Sequence, residues 1–199
     1  ERCMGSALLK RVARETLSER FFAEGGIADR VQGQFRVDAT AWGILAYRAA
    51  EGEHEILETH RSRLIQEQEE GGGLPINKTH PESFWPTALA ILAWQGSSGS
   101  QAAQSRAISF LLEKTGVHVP HRSDQPAGHD SLLKGWPWVG GTHSWIEPTI
   151  LSVIALKTAG YGKHDRVLEA IEMTLNRQLP HGGWNYGNTL VLGRELRPM

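Results

Sequence analysis

The sequence predicts an all-α fold of helical hairpins, and three observations carry that prediction. Helix openings of the Ala-Thr or Pro-Thr type recur at Asp38-Ala39-Thr40-Ala41-Trp42, Trp85-Pro86-Thr87-Ala88-Leu89 and Glu147-Pro148-Thr149-Ile150-Leu151. Each opens a strongly apolar helix followed by an amphipathic one, the contrast expected of an inner helix covered on all sides and an outer helix facing water on one. Gly-rich turns close the hairpins, most completely at Gln178-Leu179-Pro180-His181-Gly182-Gly183-Trp184. No segment has convincing strand alternation.

Taken in order, residues 1–24 predict one helix with Leu8, Leu9, Val12, Ala13 and Leu17 on one side. The first hairpin pairs Asp38–Glu51, with its stripe of Ala41, Trp42, Leu45 and Ala46, and the outer helix Glu53–Glu69. Gly71-Gly72-Gly73 ends that outer helix, because glycine tolerates the left-handed conformation of a helix terminus. The second pair is Thr87–Trp94 and Gln101–Lys114, and the third Thr149–Ala159 and Asp165–Gln178. Pro86 and Pro148 fall where a missing N–H costs nothing. Ser144-Trp145-Ile146-Glu147 has the S-x-x-E form of a capping box. About seven helices result.

Thr40 and Thr87 are 47 residues apart, and Thr87 and Thr149 are 62 apart, so one period is stretched. The stretch falls in segment 116–142, with Pro120, Pro126 and Pro137, which reads as a loop insertion of roughly 15 residues. The 199 residues, 40% of them hydrophobic, suffice for a single repeat domain over 1–199.

A net charge of −1 excludes a general nucleic-acid surface, and the basic residues Lys10, Arg11, Arg14 and Arg20 read as a solvated helix face. Cys3, the single cysteine, forms no internal disulfide and offers no Cys-rich metal site. No apolar run approaches the roughly 18–20 residues that cross a bilayer, and the N-terminus lacks a signal-peptide core. A cytoplasmic protein is expected, with one face able to rest on a membrane. The chain begins at Glu1 and stops soon after its last turn, which reads as a piece of something longer.

The ending Gln178-x-x-x-Gly182-Gly183-Trp184 resembles the Q-x-x-x-G-x-W repeat of the terpenoid cyclase and protein prenyltransferase superfamily. Gln68-x-x-x-Gly72-Gly73-Leu74 is a degenerate copy, and the likeness spans roughly residues 35–190. It is nearest the squalene–hopene cyclase-like branch, which implies an α/α toroid of concentric helix rings around an apolar cavity. Here the toroid would be partial, with about three hairpins and an N-terminal helix. The missing portion implies a longer chain, a homo-oligomer or an open arc. Independently of the family, a Gln at a helix end can bond orphan backbone groups, and a Trp after the Gly turn can staple one hairpin to the next.

The resemblance places chemistry at the inner-helix openings, where Asp38 and Glu147 are the candidate catalytic carboxylates. Against the cyclase motif D-x-D-D-T-A, Arg36-Val37-Asp38-Ala39-Thr40-Ala41 keeps the middle, acidic Asp but carries Arg36 and Ala39 in place of its flanking carboxylates. Asp38 therefore reads as a proton donor, as an ion-pair partner of Arg36, or as a helix cap. Zinc-dependent prenyl transfer is disfavoured, because Cys3 lies outside the repeats and His118, His121 and His129 form no ligand pattern. No metal or cofactor is expected. Trp85, Trp136, Trp138, Trp145, Trp184 and Tyr186 gather at turns and helix openings, and Trp42 lies on the first inner helix. Their faces could line a pocket for an isoprenoid chain or stabilise a carbocation, while packing between repeats is the plainer alternative. Three functions follow: an apolar isoprenoid-type ligand, with cyclase or isomerase chemistry; a non-catalytic helical-repeat interaction module; or a sugar-acting enzyme pairing Asp38 with Glu147.

Overall fold

The computed structural model describes residues 2–119 and 128–198, so Pro120, His121 and Pro126 lie outside the described residues, as does the side chain of Cys3. Seven α-helices are described: α1 Arg2–Ser18, α2 Val37–Ala49, α3 His54–Gln66, α4 Pro86–Ala93, α5 Gln101–Glu113, α6 Ile146–Thr158 and α7 Asp165–Asn176. The predicted helices are all present, the first ending at Ser18 rather than at 24 and the others within about three residues of their expected ends. One expectation is corrected: a two-stranded hairpin, β1 Leu190–Val191 with β2 Arg194–Glu195, turns through Leu192 and Gly193, both with positive φ. The chain divides into two compact units, Glu1–Phe110 and Leu111–Met199.

In the first unit α2 packs against α1, α3 and α4. The inner helix α4 is buried from Pro86 to Ile91 and again at Ala93, whereas α3 buries only Leu57, His60, Arg61 and Leu64. That asymmetry follows from their composition, since α4 has no charged side chain to keep in water. In the second unit α6 packs on α7, and α7 buries Val167, Ala170 and Met173 on one face.

The repeat is written in hydrogen bonds as well as in sequence. The N–H of Ile27 donates to Thr40 Oγ1 at 2.9 Å, that of Leu74 to Thr87 Oγ1 at 2.8 Å, and that of Trp136 to Thr149 Oγ1 at 2.9 Å. The separation is 13 residues each time. All three threonines are fully buried, so each hydroxyl supplies an acceptor that water cannot. The recurring threonine therefore clamps the preceding Gly turn to the inner helix it opens. Gly25-Gly26-Ile27 and Gly135-Trp136 are thus copies of the turn that the Q-x-x-x-G-x-W pattern passes over.

Three turns share one backbone form. Phe22 N–H donates to Gly26 O and Gly25 N–H to Phe22 O; Glu69 with Gly73, and Gly72 with Glu69, do the same; so do Leu179 with Gly183, and Gly182 with Leu179. Gly25, Gly72 and Gly182 have φ of +90°, +92° and +88°, a region closed to most L-residues. On the first two turns the next outer helix sits so close that a Cβ would strike its backbone: Thr59 O of α3 at Gly25, and Arg106 O of α5 at Gly72. Gln68 strengthens the second seat, its Nε2 donating to Gly72 O and Ala103 O, both at 2.9 Å.

Two further expectations are corrected. Ser144 does not cap α6; its Oγ accepts the Gly135 N–H at 3.0 Å, and Trp145 occupies the flanking position without a side-chain cap. The basic face of α1 is not simply solvated, because Lys10 pairs with Glu51 and Arg14 donates to Ala50 O, tying α1 to the end of α2. Both partners lie at the C-terminal end of α2, where carbonyls and negative charge attract cations.

Candidate functional site

A concavity of about 350 Å³ lies among the described residues of the second unit. Its floor is Arg177, the residue that ends α7. The side chain is 5% exposed, and Nη1 donates to Ser144 O at 2.6 Å. The loop after α7 wraps this head group: Gly187, at φ +140°, passes so close that a Cβ there would stand 3.1 Å from Nη1. Asn185 shapes the loop, its Oδ1 accepting from Gly187 and Asn188 N–H at 2.9 and 3.0 Å while Nδ2 donates to Asn188 O at 2.7 Å. Ile146 N–H donates to Tyr186 O at 3.1 Å, which holds the loop against the start of α6.

The walls come from the stretched segment. Val117 and Val119 supply apolar surface, and Ser131 is positioned by donating its hydroxyl to Val119 O at 2.6 Å. His129 and His143 add imidazoles, and Trp145 adds an aromatic wall with Tyr186 edge-on to it at 6.5 Å between ring centres. Burial pushes His129 down to about 4, with the Arg177 and His143 charges adding and Asp130 opposing, so its ring is neutral at physiological pH. Burial likewise lowers Arg177 to about 10, with Asp130 opposing, which leaves it cationic.

Arg177 differs from Arg61 and Arg166 in incomplete satisfaction. Arg61 donates Nε to Ala93 O at 2.8 Å and Nη2 to Gln95 O at 3.0 Å, and its Nη1 meets Glu58. Arg166 donates to the carbonyls of Lys134 at 2.9 Å and Gly135 at 2.6 Å and lies 4.0 Å over the Trp136 ring. Arg177 Nε is buried without a partner among the described residues, as are Arg20 Nε, Arg63 Nε and His129 Nδ1. No described carboxylate lines the pocket. A buried guanidinium with a spare donor can accept an anionic group at one end of a ligand whose remainder meets valine and tryptophan.

No family model matches the sequence, and no curated protein does either.

The sequence-derived candidates distribute as follows. Asp38 lies in the first turn of α2 in the first unit, with Arg36 Nε on Oδ1 at 2.9 Å and Arg36 Nη2 on Oδ2 at 2.7 Å, a bidentate ion pair. Arg36 is raised above its ordinary value by that same bond, and it rather than Asp38 flanks the helix, so Asp38 makes no cap. Glu147 belongs to the second unit and is exposed on α6. Trp42 is half exposed on α2, and Trp85 and Trp138 are half-buried. Trp136 is buried in packing, its indole N–H donating to Leu111 O at 2.9 Å. Trp184 folds back onto α7, donating to Thr174 O at 2.7 Å. Trp145 lines the pocket and Tyr186 borders it. Gln178 is exposed, so the anchoring role expected of it is performed by Gln68 alone of the two copies. Among the described residues no three His, Cys, Asp or Glu side chains gather to hold a metal ion, and no described helix is long and apolar enough to cross a membrane.

Arg177, Ser131, His143 and Asn188 were not legible as site residues. Arg177 reads as a helix-terminal cation beside the macrodipole, and the others belong to a loop without pattern. The one local signal is Asn185-Tyr186-Gly187-Asn188, a turn-forming run directly after a complete repeat ending.

Proposed function

We propose that this chain is a squalene cyclase-like or prenyltransferase-like helical-repeat domain that binds an isoprenoid-type ligand in the pocket over Arg177, gripping an anionic end of it. The observation that carries this reading is the Arg177 guanidinium lining the pocket beside an apolar and aromatic wall. A pocket of about 350 Å³ is at the small end for ligand sites and suits a short prenyl chain. Binding rather than cyclisation is favoured, because both Asp38 oxygens are engaged by Arg36 and the pocket's described titratable groups are imidazoles and a guanidinium.

Calorimetric titration with a short prenyl phosphate, the matching prenyl alcohol and inorganic phosphate tests this. A charge-assisted bond to the buried guanidinium is worth about 1.5–3 kcal/mol, so the prenyl phosphate should bind on the order of ten to a hundred times more tightly than the alcohol. Arg177→Gln should erase that difference while leaving alcohol binding in place. Equal binding of phosphate and alcohol by the unaltered protein, or binding of neither, refutes the reading.

A further inference from the structure

Building on the ligand site proposed above, we infer that the pocket takes up its anion together with a proton, which the His129 ring carries. Among the described lining residues Arg177 supplies the one permanent charge, and its Nη1 is already committed to Ser144 O at 2.6 Å. His129 and His143 line the same pocket, and no described carboxylate does. An anion bound at Arg177 therefore shares a chamber of about 350 Å³ with the His129 imidazole.

His129 is neutral in the protein alone for reasons that an anion reverses. Burial is the largest, pushing the ring down to about 4, and the Arg177 charge adds to it. Among the described residues the groups acting on the ring come from three sides: Arg177 at the end of α7, His143 in the segment before α6, and Asp130 beside it in its own segment. Asp130 alone favours the charged ring, and its Oδ1 also accepts the Leu132 N–H at 2.8 Å. Gly187 and Asn188, on the remaining wall, bring no charge. A bound anion offsets the repulsion from Arg177 and adds attraction of its own. An opposite charge within about 4–6 Å favours the charged form by a factor of about 10 to 1,000, which brings a ring at about 4 to between about 5 and about 7.

Hydrogen bonding acts in the same direction. A charged imidazole donates from both nitrogens, whereas a neutral one donates from one. Nδ1 of His129 is buried with no partner among the described residues, so the anion's oxygens supply an acceptor that the charged ring otherwise lacks. A ring lifted on binding draws its proton from solvent, and affinity then rises as pH falls. With a bound-state value of about 6.5, binding at pH 5.5 is about tenfold tighter than at pH 7.5.

The probe is octanesulfonate, with octanol as its neutral match. A phosphate ester changes its own charge near pH 6, whereas a sulfonate stays ionised throughout, so any pH dependence belongs to the protein. Calorimetry on the 199-residue chain at pH 7.5 and 5.5, with circular dichroism confirming the fold at both, should show octanesulfonate binding about tenfold tighter at the lower pH and octanol binding unchanged. Repeating the titration at pH 6 in two buffers of different ionisation enthalpy should give an uptake of at least about half a proton per sulfonate, a count that needs no variant. His129→Gln should bind the sulfonate with one affinity at both pH values, and His143→Gln should keep the rise. Sulfonate that binds more tightly than octanol, yet equally at both pH values and without proton uptake, overturns the inference and leaves the anion grip of Arg177 standing. A rise that survives in His129→Gln and disappears in His143→Gln overturns the assignment to His129. Sulfonate that binds no better than octanol at either pH overturns the inference and the ligand reading beneath it.

Discussion

Replacing Thr87 by Val removes one hydroxyl and keeps the shape of the side chain, so it isolates the bond that defines the repeat. In the folded protein Thr87 Oγ1 accepts the Leu74 N–H at 2.8 Å and donates to Phe84 O at 2.6 Å. Both Thr87 and Leu74 are fully buried, and no water can replace the lost acceptor. A buried N–H left unpaired costs about 1–3 kcal/mol, and the Phe84 carbonyl loses a partner as well, so Thr87→Val should destabilise by about 2 kcal/mol. With a urea slope of about 1–3 kcal/mol per molar, the midpoint followed by circular dichroism should fall by about 1 M at unchanged slope. Thr87→Ser retains the hydroxyl and loses only a methyl group, so it should recover at least half of that loss. Thr40→Val and Thr149→Val remove the acceptors of Ile27 and Trp136 and should cost about as much. The reasoning fails if Thr87→Val leaves the midpoint within about 0.2 M of wild type, or if the Ser variant is as unstable as the Val variant.

Acid should loosen the fold through His60, whose Nδ1 accepts the Gly26 N–H at 3.0 Å and which burial pushes down to about 4. The unfolded chain binds a proton near pH 6.5 that the folded one refuses, so stability is full above that value and declines as pH falls towards 4. The loss approaches about 3 kcal/mol, read as a pH series of urea midpoints that His60→Gln should flatten. His129 is lowered to about 4 as well and adds to the slope in the same direction. Substituting alanine separates the two kinds of glycine turn. Gly182→Ala meets no neighbour among the described residues and should cost about 1–2 kcal/mol of backbone strain. Gly72→Ala drives a methyl group into the Arg106 carbonyl and should cost at least about 3 kcal/mol; thermal melts giving equal losses would contradict the assignment.

The helices were legible because burial and composition agree: Ala88–Ala93 contains nothing that needs water, and α7 alternates Val167, Ala170 and Met173 with charge. The threonines were legible as helix openings but not as clamps, since the 13-residue return to Ile27, Leu74 and Trp136 shows only when the turns are compared with one another. Asp38 illustrates the opposite limit. Residues two apart do not face each other on a helix. Arg36, however, is extended at φ −141° and ψ 139°, just before α2 begins, and its side chain can therefore fold back onto both oxygens of Asp38. The pocket was illegible for a different reason. Val119, Ser131, Ser144, Arg177 and Asn188 come from stretches with no shared period, and only the folded second unit gathers them.

The two copies of the Gln motif make the physical meaning of such patterns plain. Gln178-x-x-x-Gly182-Gly183-Trp184 matches the repeat better than Gln68-x-x-x-Gly72-Gly73-Leu74, yet the poorer match makes the bonds the motif exists to make. Gln68 is satisfied because α5 offers it the Ala103 carbonyl, while Gln178 is exposed. Side-chain identity thus encodes readiness for a neighbour, and position in the array decides whether the neighbour is met. Gly182 keeps φ +88° although no described atom lies within 4 Å of a Cβ there, so the turn's backbone alone calls for glycine at that position.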